Sequence, residues 1–119
     1  MAKILVVDDS PADLRFLTEA LAPTGHSVVS STDATDVERL VETERPDLAL
    51  LDVVMPERNG YETLRALRRV PAAAGMKVIF VSSKGAESDV KWGLRQGAVD
   101  YLIKPYTPEQ LTALLGRHL

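Results

Sequence analysis

Short apolar runs alternate along the chain with longer segments in which apolar residues recur every three or four positions. Three of the runs are continuously apolar, a pattern typical of strands that are buried on both faces of a parallel sheet. The runs predict five strands, at residues 4–7, 27–29, 48–51, 78–81 and 101–103.

Helix signals fill the segments between these runs. Ser10 followed by Pro11 predicts an N-cap and a first helical turn, and Thr107 with Gln110 predicts a capping box before the last leucine-rich segment. The apolar spacing predicts further helices over residues 34–44, over residues 59–70, and from about residue 88 to a glycine cap at Gly97.

A strand followed by a helix, five times over, predicts an α/β fold with a doubly wound parallel sheet and helices on both faces. A chain of 119 residues suits one domain, spanning residues 1–119. In such sheets the functional crevice lies beyond the carboxyl ends of the strands, so the residues that close each strand are the candidates for chemistry.

Composition and charge exclude several classes of function. A net charge of −3 argues against a nucleic-acid surface, which would need a clustered basic excess. The absence of cysteine excludes disulfides and thiolate metal sites. No apolar stretch reaches the roughly 18 residues of a membrane span, and the run at residues 4–7 is too short for a signal peptide. We therefore expect a cytoplasmic protein that binds neither nucleic acid nor membrane.

Polar residues close four of the five predicted strands. Asp8 and Asp9 follow the first strand and Asp52 the third, while Ser82 and Lys104 close the fourth and the fifth. Like charges ~4 Å apart cost roughly 4 kcal/mol at an effective dielectric constant of about 20. One lysine cannot offset three carboxylates, whereas a hard divalent cation can, and a set of oxygen ligands favours Mg²⁺.

A metal ion beside these residues predicts phosphoryl chemistry. A carboxylate can attack phosphorus in line and form an aspartyl phosphate, while the metal neutralises charge on the phosphoryl oxygens. Lys104 can pair with one of those oxygens, and the hydroxyl of Ser82 can donate to another. Asp52 is the best candidate for the acceptor because it ends the central strand with the other groups around it.

In their order and spacing, these residues resemble the receiver domains of bacterial response regulators, including the single-domain chemotaxis type. The resemblance covers the whole chain and implies a flavodoxin-like sheet with strand order 2-1-3-4-5. Residues 92–98 and 100–102 further resemble regulators of type IV pilus twitching motility. The matching positions are Asp8-Asp9, Asp52, Met55-Pro56, Gly60, Ser82 and Lys104-Pro105.

The resemblance implies a role for each site residue. Asp9 and Asp52 would ligate Mg²⁺ directly with the Val54 carbonyl, and Asp8 would act through water. Lys104 would contact the phosphoryl group, and its bond to Pro105 would be cis. The phosphoryl donor would be a sensor histidine kinase or a phosphotransfer protein.

The resemblance also implies a switch. Phosphorylation would draw Ser82 toward the phosphoryl group and turn Tyr101 inward, which changes a surface that binds an unidentified downstream protein. Val90 and Leu94 lie one helical turn apart, and periodicity alone would bury both. The resemblance instead places them beside Tyr101, on an output face formed by the fourth helix, fifth strand and fifth helix. We favour this second interpretation because Gly93 and Gly97 suit a close approach of the helix to the sheet.

Two positions depart from the chemotaxis pattern. Val54 has no polar group that could hydrogen-bond an attacking water, and Lys84 is cationic where an acidic residue often lies. These departures predict slow self-dephosphorylation relative to fast chemotaxis regulators.

Three alternative functions stay open. An aspartyl-phosphate phosphatase of the haloacid dehalogenase type would carry a second acid at the position of Val54, and a cap for which 119 residues leave no material. A flavin or nucleotide binder would need a glycine- or hydroxyl-rich first loop, where this chain has Asp8 and Asp9. A receiver excised from a larger regulator or hybrid kinase is compatible with the chain. We expect regulation by binding, or by competition for phosphoryl groups, rather than turnover of a substrate by an enzyme.

Overall fold

The computed structural model describes residues 1–119, in which five strands alternate with five α-helices. The strands are β1 (Lys3–Val7), β2 (Ser27–Ser31), β3 (Leu48–Leu51), β4 (Lys77–Ser82) and β5 (Asp100–Ile103). The α-helices are α1 (Pro11–Leu21), α2 (Val37–Glu44), α3 (Gly60–Leu67), α4 (Glu87–Arg95) and α5 (Pro108–Gly116). Short 3₁₀ turns lie at Ala22–Thr24, Ala34–Asp36 and Pro71–Ala73.

The strands form one parallel sheet in the order β2-β1-β3-β4-β5. The predicted doubly wound α/β fold and its strand order are therefore confirmed. Val7, the last residue of β1, pairs with Leu51, the last residue of β3. This register brings the polar residues that follow the two strands side by side.

Apolar side chains form one buried cluster on each face of the sheet. The cluster of 17 buried residues packs the sheet against α2, α3 and α4, and the cluster of 13 packs it against α1 and α5. In β1, Leu5 and Val7 belong to the first cluster, whereas Ile4 and Val6 belong to the second. Because both faces are covered by helices, the central strands must be apolar at every position.

Two helix boundaries differ from the prediction. The segment predicted as one helix from residue 34 begins as a 3₁₀ turn, because the Asp33 carboxylate accepts a 2.9 Å hydrogen bond from the Thr35 N–H and starts a tight turn. The helix predicted to reach Val70 ends at Leu67. Val70 precedes Pro71 and is extended (φ −92°, ψ 117°), since a residue before proline is disfavoured in the helical region. None of the helices is both long enough and apolar enough to span a membrane.

Candidate functional site

The carboxylates of Asp8, Asp9 and Asp52 meet at the carboxyl edge of the sheet. One oxygen from each lies within 4.8 Å of the others. Backbone pairing continues past the strand ends to place them, since the Asp52 N–H donates to the Val7 carbonyl at 3.0 Å. Asp8 and Asp52 are buried, and Asp9 is exposed. The three acidic residues predicted as a metal site therefore form one cluster.

Local turns orient the two buried carboxylates. Asp8 Oδ1 accepts a 2.9 Å hydrogen bond from the N–H of Ser10, and Asp52 Oδ1 accepts a 3.2 Å bond from the N–H of Val54. In each case the partner lies two residues later, as in Asx turns. This leaves Oδ2 of both aspartates directed at Lys104.

The Lys104 ammonium is shared among three carboxylates. Its backbone N–H donates to the Ser82 carbonyl at 2.9 Å, which places it just beyond β5. Its Nζ donates to Asp8 Oδ2 at 2.6 Å, to Asp13 Oδ2 at 2.9 Å and to Asp52 Oδ2 at 3.1 Å. All three donors of the ammonium are therefore used. The Lys104-Pro105 bond is cis, as predicted.

Burial and the hydrogen bonds of Lys104 determine how the site titrates. Burial raises the pKa of Asp8, and the hydrogen bond from Lys104 only partly opposes that rise. Burial alone would lower the pKa of Lys104, but hydrogen bonds to Asp8 and Asp13 outweigh it and hold that pKa above its ordinary value. The lysine is thus a fixed cation, and Asp8 ionises less readily than an ordinary aspartate.

The donor set fits a hard divalent cation. Asp8 and Asp52 are only 3% and 8% exposed, so water screens their repulsion poorly. The available ligands are all oxygens, and the exposed Asp9 leaves a route from solvent. Mg²⁺ prefers such oxygen sites with open positions for water. Asp8, Asp9 and Asp52 can therefore hold it.

The loop between β3 and α3 brings the Val54 backbone beside the cluster. A Cβ added at Gly60 would collide with the Asp52 carbonyl and lie 2.9 Å from Val53 Cα, so only glycine permits this close approach. The N–H of Gly60 donates to the Val53 carbonyl at 2.8 Å. Met55 anchors the loop in the larger cluster, and the side chain of Val54 is exposed.

Ser82 and Tyr101 are linked through the backbone of the loop after β4. Ser82 is fully buried, and its Oγ accepts a 3.3 Å hydrogen bond from the N–H of Lys84. The Tyr101 hydroxyl donates to the Lys84 carbonyl at 2.6 Å, so the ring already lies inward and does not start from the outward position that the expected turn assumed. Burial raises the pKa of Tyr101 to about 12. Ser83, next in the chain, is exposed.

Helix α4 meets the sheet through Gly93. A Cβ there would lie 3.0 Å from ring atoms of both Phe80 and Tyr101. Val90 is half-buried against the larger cluster, whereas Leu94 and Trp92 are 44% and 46% exposed. Apolar side chains are therefore exposed on this helix, at Trp92 and Leu94. Gly97 has open space around it and a φ of +112°, so it ends the helix instead of packing on the sheet.

A family model links this geometry to known proteins. The model of the response regulator receiver domain matches residues 4–116. The chain belongs to the response regulator receiver family. The resemblance predicted from the strand-end residues is thus confirmed at the level of the family.

Individual relatives cover this receiver domain to different extents. Protein PilH of Pseudomonas aeruginosa is 43% identical over 111 residues, which are 93% of this chain and 92% of PilH. The DNA-binding response regulator MtrA of Mycolicibacterium smegmatis is 38% identical over 98% of this chain but only 50% of MtrA. The chain thus spans nearly all of PilH and about half of MtrA. The chemotaxis protein CheY4 of Vibrio cholerae has a similar structure, with a TM-score of 0.92 at 28% identity, covering 100% of this chain and 99% of CheY4.

Asp13 was not among the site residues predicted from the sequence of this receiver domain. It lies in the first turn of α1, where its N–H donates to Ser10 Oγ at 3.3 Å. The structure adds its contact with Lys104, which lies 91 residues away in the chain. The position of Asp13 in the sequence could have revealed it. A residue in the first turn of the helix after β1 lies at the same edge of the sheet as the carboxyl ends of the strands.

Proposed function

We propose that this receiver domain is a phospho-acceptor switch in which Asp52 takes a phosphoryl group from a histidine kinase or a phosphotransfer protein. A carboxylate oxygen of Asp52 attacks phosphorus, forming a P–O bond as the P–N bond of the donor phosphohistidine breaks. The imidazole leaves with the electron pair and takes up a proton. Covalent catalysis by a carboxylate requires the phosphoryl group to be held in line with the attacking oxygen.

The observation that carries this proposal is the imbalance of charge around Lys104. Its ammonium contacts Asp8, Asp13 and Asp52, and Asp9 lies in the same cluster. A site that served stability alone would pair its charges. This one has an excess of oxygen ligands at the sheet edge where doubly wound folds bind ligands.

Mg²⁺ would be held by Asp9, Asp52 and the Val54 carbonyl, with Asp8 acting through water. When bound, the metal would neutralise charge on the phosphoryl oxygens. Lys104 would move its contact from Asp52 to a phosphoryl oxygen, since a charged donor favours the more negative acceptor. Ser82 would donate its hydroxyl to another oxygen.

The output would be a changed surface of α4, β5 and α5. The hydrogen bond from Tyr101 to the Lys84 carbonyl couples this surface to the loop that begins at Ser82. Val90 and Leu94 on α4 would contact the downstream protein. We place the domain, residues 1–119, in the cytoplasm, and in the twitching-motility branch on the strength of residues 92–98 and the 43% identity to PilH.

The test is incubation with acetyl phosphate and Mg²⁺ followed by intact-mass spectrometry. The wild type should gain the mass of one phosphoryl group, and Asp52→Asn should gain none. Asp47→Asn is the matched control, because Asp47 precedes the same strand at the opposite edge of the sheet and accepts a hydrogen bond from the Lys3 N–H.

Removal of Mg²⁺ by a chelator should prevent the gain in every variant. A phosphoryl group that still appears on Asp52→Asn would refute Asp52 as the acceptor. Gain that persists in the chelator would refute the metal requirement while leaving the acceptor in place.

A further inference from the structure

A tight turn lies in the β3–α3 loop just beyond Val54 and Met55. The Arg58 N–H donates to the Pro56 carbonyl at 2.6 Å, and the intervening Glu57 has a φ of +67°. A hydrogen bond between residues two apart around a positive φ is a rare and strained turn. Such backbone persists only where its surroundings hold it.

The side chain of Arg58 supplies that hold. Its Nη1 donates to Glu38 Oε2 at 2.9 Å, and its Nη2 donates to Glu38 Oε1 and to the Ala34 carbonyl at 2.5 Å. Glu38 lies in the first turn of α2, and Ala34 lies in the 3₁₀ turn before it. A bidentate arginine–carboxylate pair fixes orientation as well as distance. We call this set of contacts the Arg58 clamp.

Apolar packing does little to hold the turn at Pro56 and Glu57 in place. A cleft of about 220 Å³ separates the β3–α3 loop from the segment before α2, and Pro56 and Glu57 on its wall are exposed. The Arg58 clamp therefore adds a polar link between two segments whose apolar packing along the cleft is confined to the buried Ala34 and Met55.

The clamp is a poor device for stability alone. Arg58 Nε is buried and has no hydrogen-bond partner. A partly buried ion pair with such a deficit gains little net stability, because the cost of desolvation offsets much of the attraction between the charges. The hydrogen bond from Arg58 lowers the pKa of Glu38, so the pair is ionised at neutral pH. A positioning role accounts for the contacts better than a stabilising one.

We propose that Arg58 is a positioning residue for the metal site: the Arg58 clamp holds the β3–α3 loop in the conformation that presents the Val54 carbonyl to Mg²⁺. This inference rests on the proposed function, since it takes the Mg²⁺ site to include Val54. Residues that orient metal ligands typically change metal affinity by ~10- to 100-fold when they are replaced.

The experiment measures Mg²⁺ affinity by isothermal titration calorimetry on the full chain. Arg58→Met and Glu38→Gln should each weaken Mg²⁺ binding roughly tenfold, and the double variant should be no weaker than either single variant. Arg39→Met is the matched control. It removes a bidentate pair with Asp36 at the start of the same helix, at 2.8 and 2.7 Å, that does not touch the loop.

The directions of change separate positioning from simple electrostatics. If Arg58 acted only as a charge, its loss would tighten Mg²⁺ binding and the loss of Glu38 would weaken it. Under the positioning role both losses weaken binding, and Arg58→Lys, which keeps the charge but not the fork, does so as well.

Urea unfolding without metal, on the same samples, shows whether each variant is folded. If a variant does not fold, amide hydrogen exchange is measured instead, in Arg58→Lys. Exchange at the Val54 and Gly60 amides should be faster in that variant than in the wild type. Unchanged affinity or exchange in the folded Arg58 variants would overturn the inference and leave the proposed function intact. A wild type that binds no Mg²⁺ would overturn both.

Discussion

Two partly buried cations lie at the same edge of the sheet, and their charges are balanced in opposite ways. Lys104, with a side chain 15% exposed, contacts three carboxylates and has a fourth nearby. Arg58, with a side chain 21% exposed, has one carboxylate and one carbonyl. The first group carries excess negative charge, whereas the second is balanced.

The difference separates a site that awaits a ligand from a contact that shapes a loop. Excess carboxylates at the ends of β1 and β3 are costly in the metal-free protein, and a divalent cation removes that cost. A balanced ion pair has no unpaired charge that a further ion could stabilise. It can therefore affect the site only by fixing the two backbone segments that it joins. We therefore assign the proposed function to the unbalanced group around Lys104 and the proposed positioning role to the balanced group around Arg58.

Removal of each cation should test this contrast most strongly. Without Mg²⁺, Lys104→Met should lower the free energy of unfolding by about 3 kcal/mol, because Asp8 and Asp52 lose their only cation. Arg58→Met should cost no more than about 1 kcal/mol, since Glu38 is partly exposed and can be solvated. Urea denaturation in a chelator measures both.

Added Mg²⁺ should restore most of the stability lost in Lys104→Met, because metal binds the folded state only. Arg58→Met should gain less stability at the same Mg²⁺ concentration, because it binds the metal roughly tenfold more weakly. Equal losses in the two variants, with equal recovery, would erase the distinction between the two groups.

The two groups should also respond to pH in opposite directions, with a smaller effect. Burial holds the folded pKa of Asp8 above its unfolded value, so its contribution is favourable at acid pH and is lost as the pH rises through the folded pKa. Arg58 holds the folded pKa of Glu38 below its unfolded value, so that contribution is present at neutral pH and is lost as the pH falls.

Variants isolate these contributions in metal-free protein. Asp8→Asn should be more stable than the wild type at neutral pH and equal to it in acid. Glu38→Gln should be less stable at neutral pH and should converge with the wild type in acid. Unfolding free energies measured between neutral pH and about pH 3 decide the signs. If the stability of both variants relative to the wild type changed with pH in the same direction, the opposite pKa shifts assigned to Asp8 and Glu38 would be contradicted.

The strands and the strand-end residues were predictable from sequence, and the long-range partners were not. The predicted runs that correspond to β1, β3 and β4 are apolar at every position. A charged residue directly after such a run is therefore easy to recognise, as are Asp8 after the first run, Asp52 after the third and Lys104 after the last. The contact between Arg58 and Glu38 joins residues 20 apart through the crossover from α2 to β3. No local pattern encodes that pairing, because it arises from the way the two loops meet at the sheet edge.

The lifetime of the phosphorylated state should be sensitive to Val54, a neighbour of the unbalanced group. Its side chain is 52% exposed and apolar, and it cannot orient a water toward phosphorus. Val54→Asn should shorten the half-life of the phospho-form several-fold because an amide can hold that water. Loss of label from purified phosphoprotein measures it. Val54→Ala is the control and should leave the half-life unchanged; a shortened half-life in both variants would point to steric access instead.

The smallest expected effect concerns the strained turn beside the balanced group. Glu57 has a φ of +67°, and a left-handed conformation costs a non-glycine residue roughly 1–2 kcal/mol. Glycine adopts it without strain but loses about 0.5–1 kcal/mol more chain entropy on folding. Glu57→Gly should therefore raise the free energy of unfolding by up to ~1 kcal/mol.

Arg45→Gly is the matched control, since Arg45 has a φ of +48° at the end of α2, and its gain should be similar. The two variants should differ only when the Arg58 clamp is absent. With Arg58 replaced by Met, Glu57→Gly should loosen Mg²⁺ binding further because a glycine turn is freer to move, whereas Arg45→Gly should not. Equal Mg²⁺ affinities in those two double variants would mean that the turn holds its shape without Arg58, and would confine the role of the clamp to stability.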